Sequence, residues 1–238
     1  MPHLVTQYRD QINELVKASR RLGNLGYVAS HGGNLSYKVS KEHILITPTK
    51  VVKREVSFED ICIISTTGEQ LYVPEGRKPT GEWPMHIRLY ERRPDLAGLV
   101  HGHPPYLAGF ALAGNNILSR PLLPEPTIEV GPVVLVRYAE PVSEDLAKQF
   151  DGVVAVSNAW LMRNHGITMG STDGAARALE LLEMTEALAV SVLTAKQLGE
   201  LQEIPRHEVE RLDRTLESRN MALPGDPRVI TKLTDLYY

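Results

Sequence analysis

The sequence predicts an α/β fold, with a mixed or mainly antiparallel sheet held between helical layers. Two observations carry this. Segments of helical and strand periodicity are interspersed along all 238 residues, and several neighbouring strands are joined by short polar turns instead of helical crossovers. No repeat, low-complexity tract or linker interrupts them. Residues 1–238 are therefore expected to form a single domain, with a C-terminal tail from about residue 205.

Taken in order, residues 6–24 set Ile12, Leu15, Val16, Ala18 and Leu22 at helical spacing and predict an amphipathic helix ended by Gly23 and Gly26. Residues 34–39 and 43–47 read as strands around the polar turn Ser40-Lys41-Glu42. Residues 61–65 and 69–73 read as a second hairpin turning at Thr67-Gly68. Pro84 suits the first turn of a helix reaching Arg92. Residues 96–100 then form an apolar strand that delivers His101, ended by Pro104-Pro105. A short helix is expected at 106–112, a β-branched strand at 133–136 between Pro-rich loops, and a short helix at 143–149. Residues 153–156 and 159–162 read as buried strands, and Gly166 permits a tight turn into 167–170. Thr172-Asp173 are expected to cap a long helix to about Leu198.

The chain is 42% hydrophobic and 23% charged, ordinary for a protein that buries a sizeable core. Lys plus Arg is 26 and Asp plus Glu 29, a net charge of −3, which points to neither nucleic acid nor a membrane surface as partner. The only cysteine, Cys62, lies between isoleucines and reads as a buried small hydrophobe, so no intrachain disulfide is possible and a reducing compartment is expected. The N-terminus lacks the apolar core of a signal peptide, and no stretch approaches the ~20 apolar residues of a membrane span. A soluble, cytoplasmic protein is expected.

His101 and His103 are two residues apart at the end of a strand, so both imidazoles leave the same face and can grip one divalent ion at about 2.0–2.1 Å. A third candidate ligand, His165, lies in Asn-His-Gly between two apolar segments, on a turn expected to be strained. Glu82 completes a set of three nitrogens and one carboxylate, which suits a catalytic ion because the weakest ligand can yield to substrate. A glutamate at a helix start also serves as a partner of the helix dipole, and that alternative stands beside ligation. His86, one helical turn on, is expected to pack or support. Gly32-Gly33-Asn34 has the small residues of an anion-cradling turn, although glycine pairs also serve plain turns. Thr47-Pro-Thr-Lys50 and Lys78-Pro-Thr80 each bring a hydroxyl and a cation to a loop.

Together, His31-Gly-Gly-Asn-Leu-Ser36, Ile46-Thr-Pro-Thr49, Pro79-Thr-Gly-Glu-Trp83 with His86, Val100-His-Gly-His-Pro104 and Asn164-His-Gly166 resemble the class II aldolase/adducin family, in particular its L-fuculose-1-phosphate aldolase-like members. The segments run in the family's order over about residues 5–200. The resemblance implies a three-layer α/β/α sandwich around a mixed, mainly antiparallel sheet, and a homotetramer with active sites between subunits. It implies one divalent metal per subunit, Zn2+ foremost with Mn2+ or Co2+ as alternatives, on His101, His103 and His165. Glu82 would close the shell at rest and act as acid/base. Gly33, Asn34, Thr49, Lys50, Thr80 and Gly81 would surround the anion of a small substrate. Three departures stand out: Thr80-Gly81 where the family's aldolases carry two serines, Lys50 where they carry glycine, and Glu125 about where they carry a catalytic tyrosine. Glu125 is therefore a candidate acid/base, with a loop salt bridge as the alternative.

The implied activity is a metal-dependent aldolase, a carbon–carbon lyase acting on a phosphorylated hydroxy-ketone. An epimerase or a decarboxylase of a sugar-acid derivative would use the same enolate chemistry. An adducin-like binding module without catalysis is the third alternative, opposed by the intact histidine set. The C-terminal Tyr237-Tyr238 is a candidate for reaching a neighbouring subunit.

Overall fold

The structure, a computed structural model, describes residues 2–238. Eight strands form one sheet in the order β4-β3-β2-β1-β5-β8-β7-β6. The meander β1 (Asn34–Lys38), β2 (His43–Ile46), β3 (Cys62–Ser65) and β4 (Gln70–Tyr72) makes one wing. β5 (Gly98–Gly102) and β8 (Gly166–Ser171) sit at the centre, followed by β7 (Ala159–Met162) and the edge strand β6 (Val133–Val136). Every pairing is antiparallel except β6 with β7, so the expected mixed, mainly antiparallel sheet is what forms.

The helices are α1 (Pro2–Gln7), α2 (Arg9–Asn24), α3 (Trp83–Arg92), α4 (Pro105–Ala113), α5 (Pro124–Glu129), α6 (Glu144–Lys148), α7 (Ala175–Leu198) and α8 (Arg206–Ser218). Strand alternation sorts the side chains into two cores. Leu45, Ile63, Val100, Leu161, Ile167 and Met169 join residues of α2, α4 and α7 on one face. Ile44, Ile46, Cys62, Ile64, Leu99, Trp160 and Met162 meet α3 and α6 on the other. Burying each such side chain stabilises the fold by about 1.5–3 kcal/mol, and doing so on both faces yields three layers. Cys62 is buried as expected, and that burial pushes its thiol up to about 12. No helix among the described residues is long and apolar enough to cross a membrane.

Several expectations fail for local reasons. The helix expected over 6–24 is broken at Tyr8, whose backbone leaves the helical region (φ −105°, ψ 25°) and whose hydroxyl meets His43 at 2.8 Å. Residues 153–156 form turns, not a strand. The N–H groups of Val153 and Val154 bond back to the Phe150 carbonyl at 3.0 and 2.9 Å, while the Ala155 carbonyl accepts from Asp226. Thr172 and Asp173 do not cap the long helix: α7 starts after Gly174, and the Ala176 N–H donates to Glu14 of α2 at 3.2 Å. The loop around Glu125 is helix α5, nucleated by Pro124 at its first position. The expected tail contains α8, whose Val209 and Leu216 are buried with Leu233.

Arg93 ties these irregular parts to the sheet. Its fully buried guanidinium pairs with Asp95 at 2.9 and 2.8 Å and donates to Val154 O (3.1 Å), Ser157 O (3.0 Å), Asn158 Oδ1 (2.9 Å) and Gly225 O (2.7 Å). Arg93→Ala would leave those acceptors buried without donors. It is expected to lower the free energy of urea unfolding by about 3–5 kcal/mol. A change within the ~0.5 kcal/mol of an ordinary surface substitution would contradict this.

Candidate metal centre

The central strand β5 places His101 between Asn34 of β1 and Thr168 of β8. His103 follows just past the strand end, its N–H held by the Tyr27 carbonyl at 2.7 Å. His165 occupies the β7–β8 turn behind Asn164, which adopts φ 55°, so the expected backbone strain is present. A Cβ on Gly166 would lie 2.5 Å from both Gly102 O and His103 Cδ2, so only glycine lets this turn reach β5. One ring nitrogen from each of His101, His103 and His165 lies within 4.8 Å of the others.

Glu82 stands at the N-cap of α3, yet its side chain makes no capping bond. It turns inward instead. Oε2 accepts from Asn34 Nδ2 at 2.6 Å and lies 3.6 Å from His101 Nε2, while Oε1 lies 3.4 Å from His165 Nε2. Glu82 Oε1 and His165 Nδ1 are buried without a hydrogen-bond partner.

His101 Nδ1 faces the Ile167 carbonyl at 3.0 Å and donates to it, which leaves the Nε2 lone pair inward, 3.0 Å from His103 Nε2. Burial, then the neighbouring imidazoles, holds His101 well below the usual imidazole range, and burial followed by His165 brings His103 down to about 4. Neutral His101 and His103 rings cannot balance the nearly buried carboxylate. The contact of Glu82 with His101 is therefore not an ion pair; His101, His103, His165 and Glu82 are donors gathered about a common centre. Three imidazoles and a carboxylate without a positive partner are able to hold a divalent ion.

A buried chain of polar groups fixes Glu82. Asn34 gives its amide N–H to Glu82, and its Oδ1 accepts from His86 Nε2 at 2.5 Å. That leaves His86 Nδ1 to accept from Ser36 Oγ at 2.7 Å, with Tyr90 next in line at 2.9 Å from Ser36. Full burial brings His86 down to about 3, so it stays neutral and its donor side stays on Asn34. His86 thus supports, as its position suggested. Ser36 and Tyr90 were missed; the alternation that points Ser36 to the α3 side of β1 was the available signal.

The other candidates divide. Thr49 N–H donates to Lys78 O (2.9 Å) and Thr80 N–H to Thr47 O (3.0 Å), so loops 47–50 and 78–80 lie paired and bring Thr49, Lys50, Thr80 and Gly81 together. Lys50 is exposed and adopts φ 58°. A Cβ on Gly81 would lie 2.8 Å from Val142 Cγ1, and Val142 is itself left-handed (φ 68°), so the space a serine would use is filled. A Cβ on Gly32 would lie 3.3 Å from His103 Nδ1, which seats the glycine loop against the histidines; Gly33 adopts φ 70°. The Asn34 side chain is committed to Glu82 and His86.

Glu125 is not brought to the cluster within one chain. It is exposed on α5; Glu129 at the end of that helix pairs with Arg177 in the first turn of α7, which begins over Gly98 at the opposite end of β5 from His101. Tyr237 and Tyr238 dock on their own chain, donating to Thr127 O (3.1 Å) and Ile204 O (3.3 Å).

A family described as "Class II Aldolase and Adducin N-terminal domain" matches residues 13–193, and the chain belongs to it. Among similar proteins, a 3-oxo-tetronate 4-phosphate decarboxylase of Haemophilus influenzae is 28% identical over 179 residues, 73% of this chain and 84% of the relative. An L-fuculose phosphate aldolase of Methanococcus maripaludis is 30% identical over 189 residues, 79% of this chain and 99% of the relative. A solved L-fuculose 1-phosphate aldolase superposes with a TM-score of 0.76 at 27% identity, covering 87% of this chain and 96% of its own.

Two outcomes follow from the geometry. Chelation should lower the melting temperature and stoichiometric Zn2+, Mn2+ or Co2+ should restore it, because an ion at a thousandfold its Kd stabilises the folded state by about 4 kcal/mol. A melting curve indifferent to chelator and ion would rule the centre out. Asn34→Ala, which frees Glu82, should weaken ion affinity by about 10–100-fold in a chelator competition.

Proposed function

We propose that this member of the class II aldolase and adducin family is a divalent-metal-dependent lyase acting on a small phosphorylated hydroxy-ketone. The observation that carries this is the convergence of the unpartnered Glu82 Oε1 on three imidazoles, beside paired loops rich in hydroxyl and backbone N–H donors. In this reading His101, His103, His165 and Glu82 hold the ion, Zn2+ foremost with Mn2+ or Co2+ as alternatives. The ion supplies Lewis-acid stabilisation for charge that develops on the substrate's carbonyl oxygen.

The chain's own residues do the rest. Glu82, released by substrate, accepts and returns the proton at carbon or oxygen. Asn34 aims it, and neutral His86 aims Asn34. Backbone groups around Gly33 and Gly81, the hydroxyls of Thr49 and Thr80, and Lys50 receive the phosphate. Glu125 would act as acid/base only from a neighbouring subunit. A homotetramer with shared sites is supported by α4, the helix that follows His103, which is apolar on all sides yet exposes Tyr106 (46%) and Leu112 (66%). The expected home of such an enzyme is the cytoplasm.

Decarboxylation is the second reading, favoured by the Haemophilus influenzae relative and by the loss of a hydroxyl at Gly81. Cleaving a ketose 1-phosphate between C3 and C4, and removing CO2 from a 3-oxo-tetronate 4-phosphate, both leave the enediolate of dihydroxyacetone phosphate. The two reactions differ in the other product, an aldehyde or CO2. An epimerase would restore the broken bond on the opposite face.

The test assays both products across ketose 1-phosphates and 3-oxo acid phosphates. Aldehyde release supports the aldolase, CO2 release with no ketose cleavage supports the decarboxylase, and silence with a fully metal-loaded protein leaves the epimerase, read by inversion at the carbon next to the broken bond, and the binding module. Glu82→Gln should lower kcat by about 10²–10⁴-fold, the usual worth of a positioned acid/base. His103→Ala should abolish turnover with an unchanged circular dichroism spectrum, and retained turnover would remove His103 from the site.

A further inference from the structure

Lys53 is 1% exposed and takes no part in the proposed reaction. Removing an ammonium from water is costly unless its donors are satisfied, and no carboxylate among the described residues pairs with this one. Its Nζ donates instead to two main-chain carbonyls, His31 O at 3.2 Å and Val51 O at 2.9 Å. The root of the side chain is fixed as well. Lys53 opens a single helical turn against α2, and its own carbonyl accepts from Ser19 Oγ at 3.3 Å.

The two acceptors belong to the two loops assigned to the substrate's anion. Just past His31 comes Gly33, at φ 70°, and just before Val51 comes Lys50, at φ 58°. These left-handed residues make the turns in which successive N–H groups open into an anion-binding concavity. The N–H groups of Gly33, Lys50 and Val51 bond to no other described residue. A lysine without a carboxylate partner therefore grips, from the protein side, the outer peptides of two turns whose donors remain unused.

We propose that Lys53 is the positioning residue of the anion subsite, tying loops 31–34 and 47–51 together through one ammonium so that a single phosphate group meets donors from both. This rests on the assignment of those loops to the substrate's phosphate. Lys53 itself does not touch the phosphate; it sets the distance between the groups that do. Its charge also lies behind donors that face an anion, which adds attraction without adding an exposed cation. A purely structural lysine would affect stability alone, whereas a brace of this kind affects anion affinity at unchanged metal content.

The experiment titrates metal-loaded protein with inorganic phosphate by calorimetry, in the wild type, Lys53→Met, Lys53→Arg and Thr80→Val. Lys53→Met is expected to keep its metal and its circular dichroism spectrum while phosphate affinity falls by about tenfold or more, the loss of one charge-assisted hydrogen bond's worth of placement. Lys53→Arg keeps charge and donors on a longer, wider group and should fall between the two. If Lys53→Met does not fold, Lys53→Arg decides: an affinity equal to wild type overturns the brace. A wild-type response that Thr80→Val weakens and Lys53→Met leaves intact overturns the brace alone. A wild type that does not bind phosphate at all overturns the anion assignment, and the brace with it.

Discussion

A carboxylate buried among imidazoles, two of which burial keeps neutral, is the constraint on which the rest of this structure turns. Among the described residues no lysine or arginine pairs with Glu82, and its Oε1 has no hydrogen-bond donor. Such a group is expensive in isolation and becomes favourable only when a positive charge joins it. The same burial that lowers His101 and His103 frees their lone pairs for that charge. The folding of the chain thus gathers donors able to hold a cation, and a cation bound there would contribute to the stability of the fold.

The sheet is what makes this arrangement affordable. β5 is buried on both faces and paired on both edges, so His101 cannot move without breaking two ladders. Asn34 sits opposite His101 by register, and from there it reaches Glu82 on one side and His86 on the other. One strand pairing therefore links the candidate ligands to the helix layer formed by α3. Glycines complete the geometry where backbone must approach ring or strand, at Gly32 beneath His103 and at Gly166 against Gly102.

The metal end and the anion end differ in how they are built. The metal end rests on regular strands and one turn, and its donors converge within a single chain. The anion end is assembled from irregular loops held by a few bonds between Thr47, Thr49, Lys78 and Thr80. Its departures from the family pattern, at Lys50 and Gly81, coincide with left-handed backbone at Lys50 and with the Val142 side chain lying over Gly81. In the proposed lyase, this is where one phosphorylated substrate would be told from another.

The periodicity of the sequence was enough to determine the layers and most elements, because alternating burial on a two-faced sheet writes itself directly into residue order. The His-x-His spacing and the Asn-His-Gly turn were likewise legible, since both are local geometry. The failures were long-range. The β-branched run 153–156 became turns because Arg93 and Asp226 claimed its carbonyls, and α7 is capped by Glu14 from a distant helix, not by Thr172. Asn34 looked like an anion ligand and became the bond that aims Glu82, 48 positions away in sequence. Sequence by itself determined which side chains could serve as donors and on which face of a strand they lie. Only the tertiary structure decided which donors meet and which remain unpartnered, because those outcomes depend on contacts between residues far apart in the chain and on the burial those contacts create.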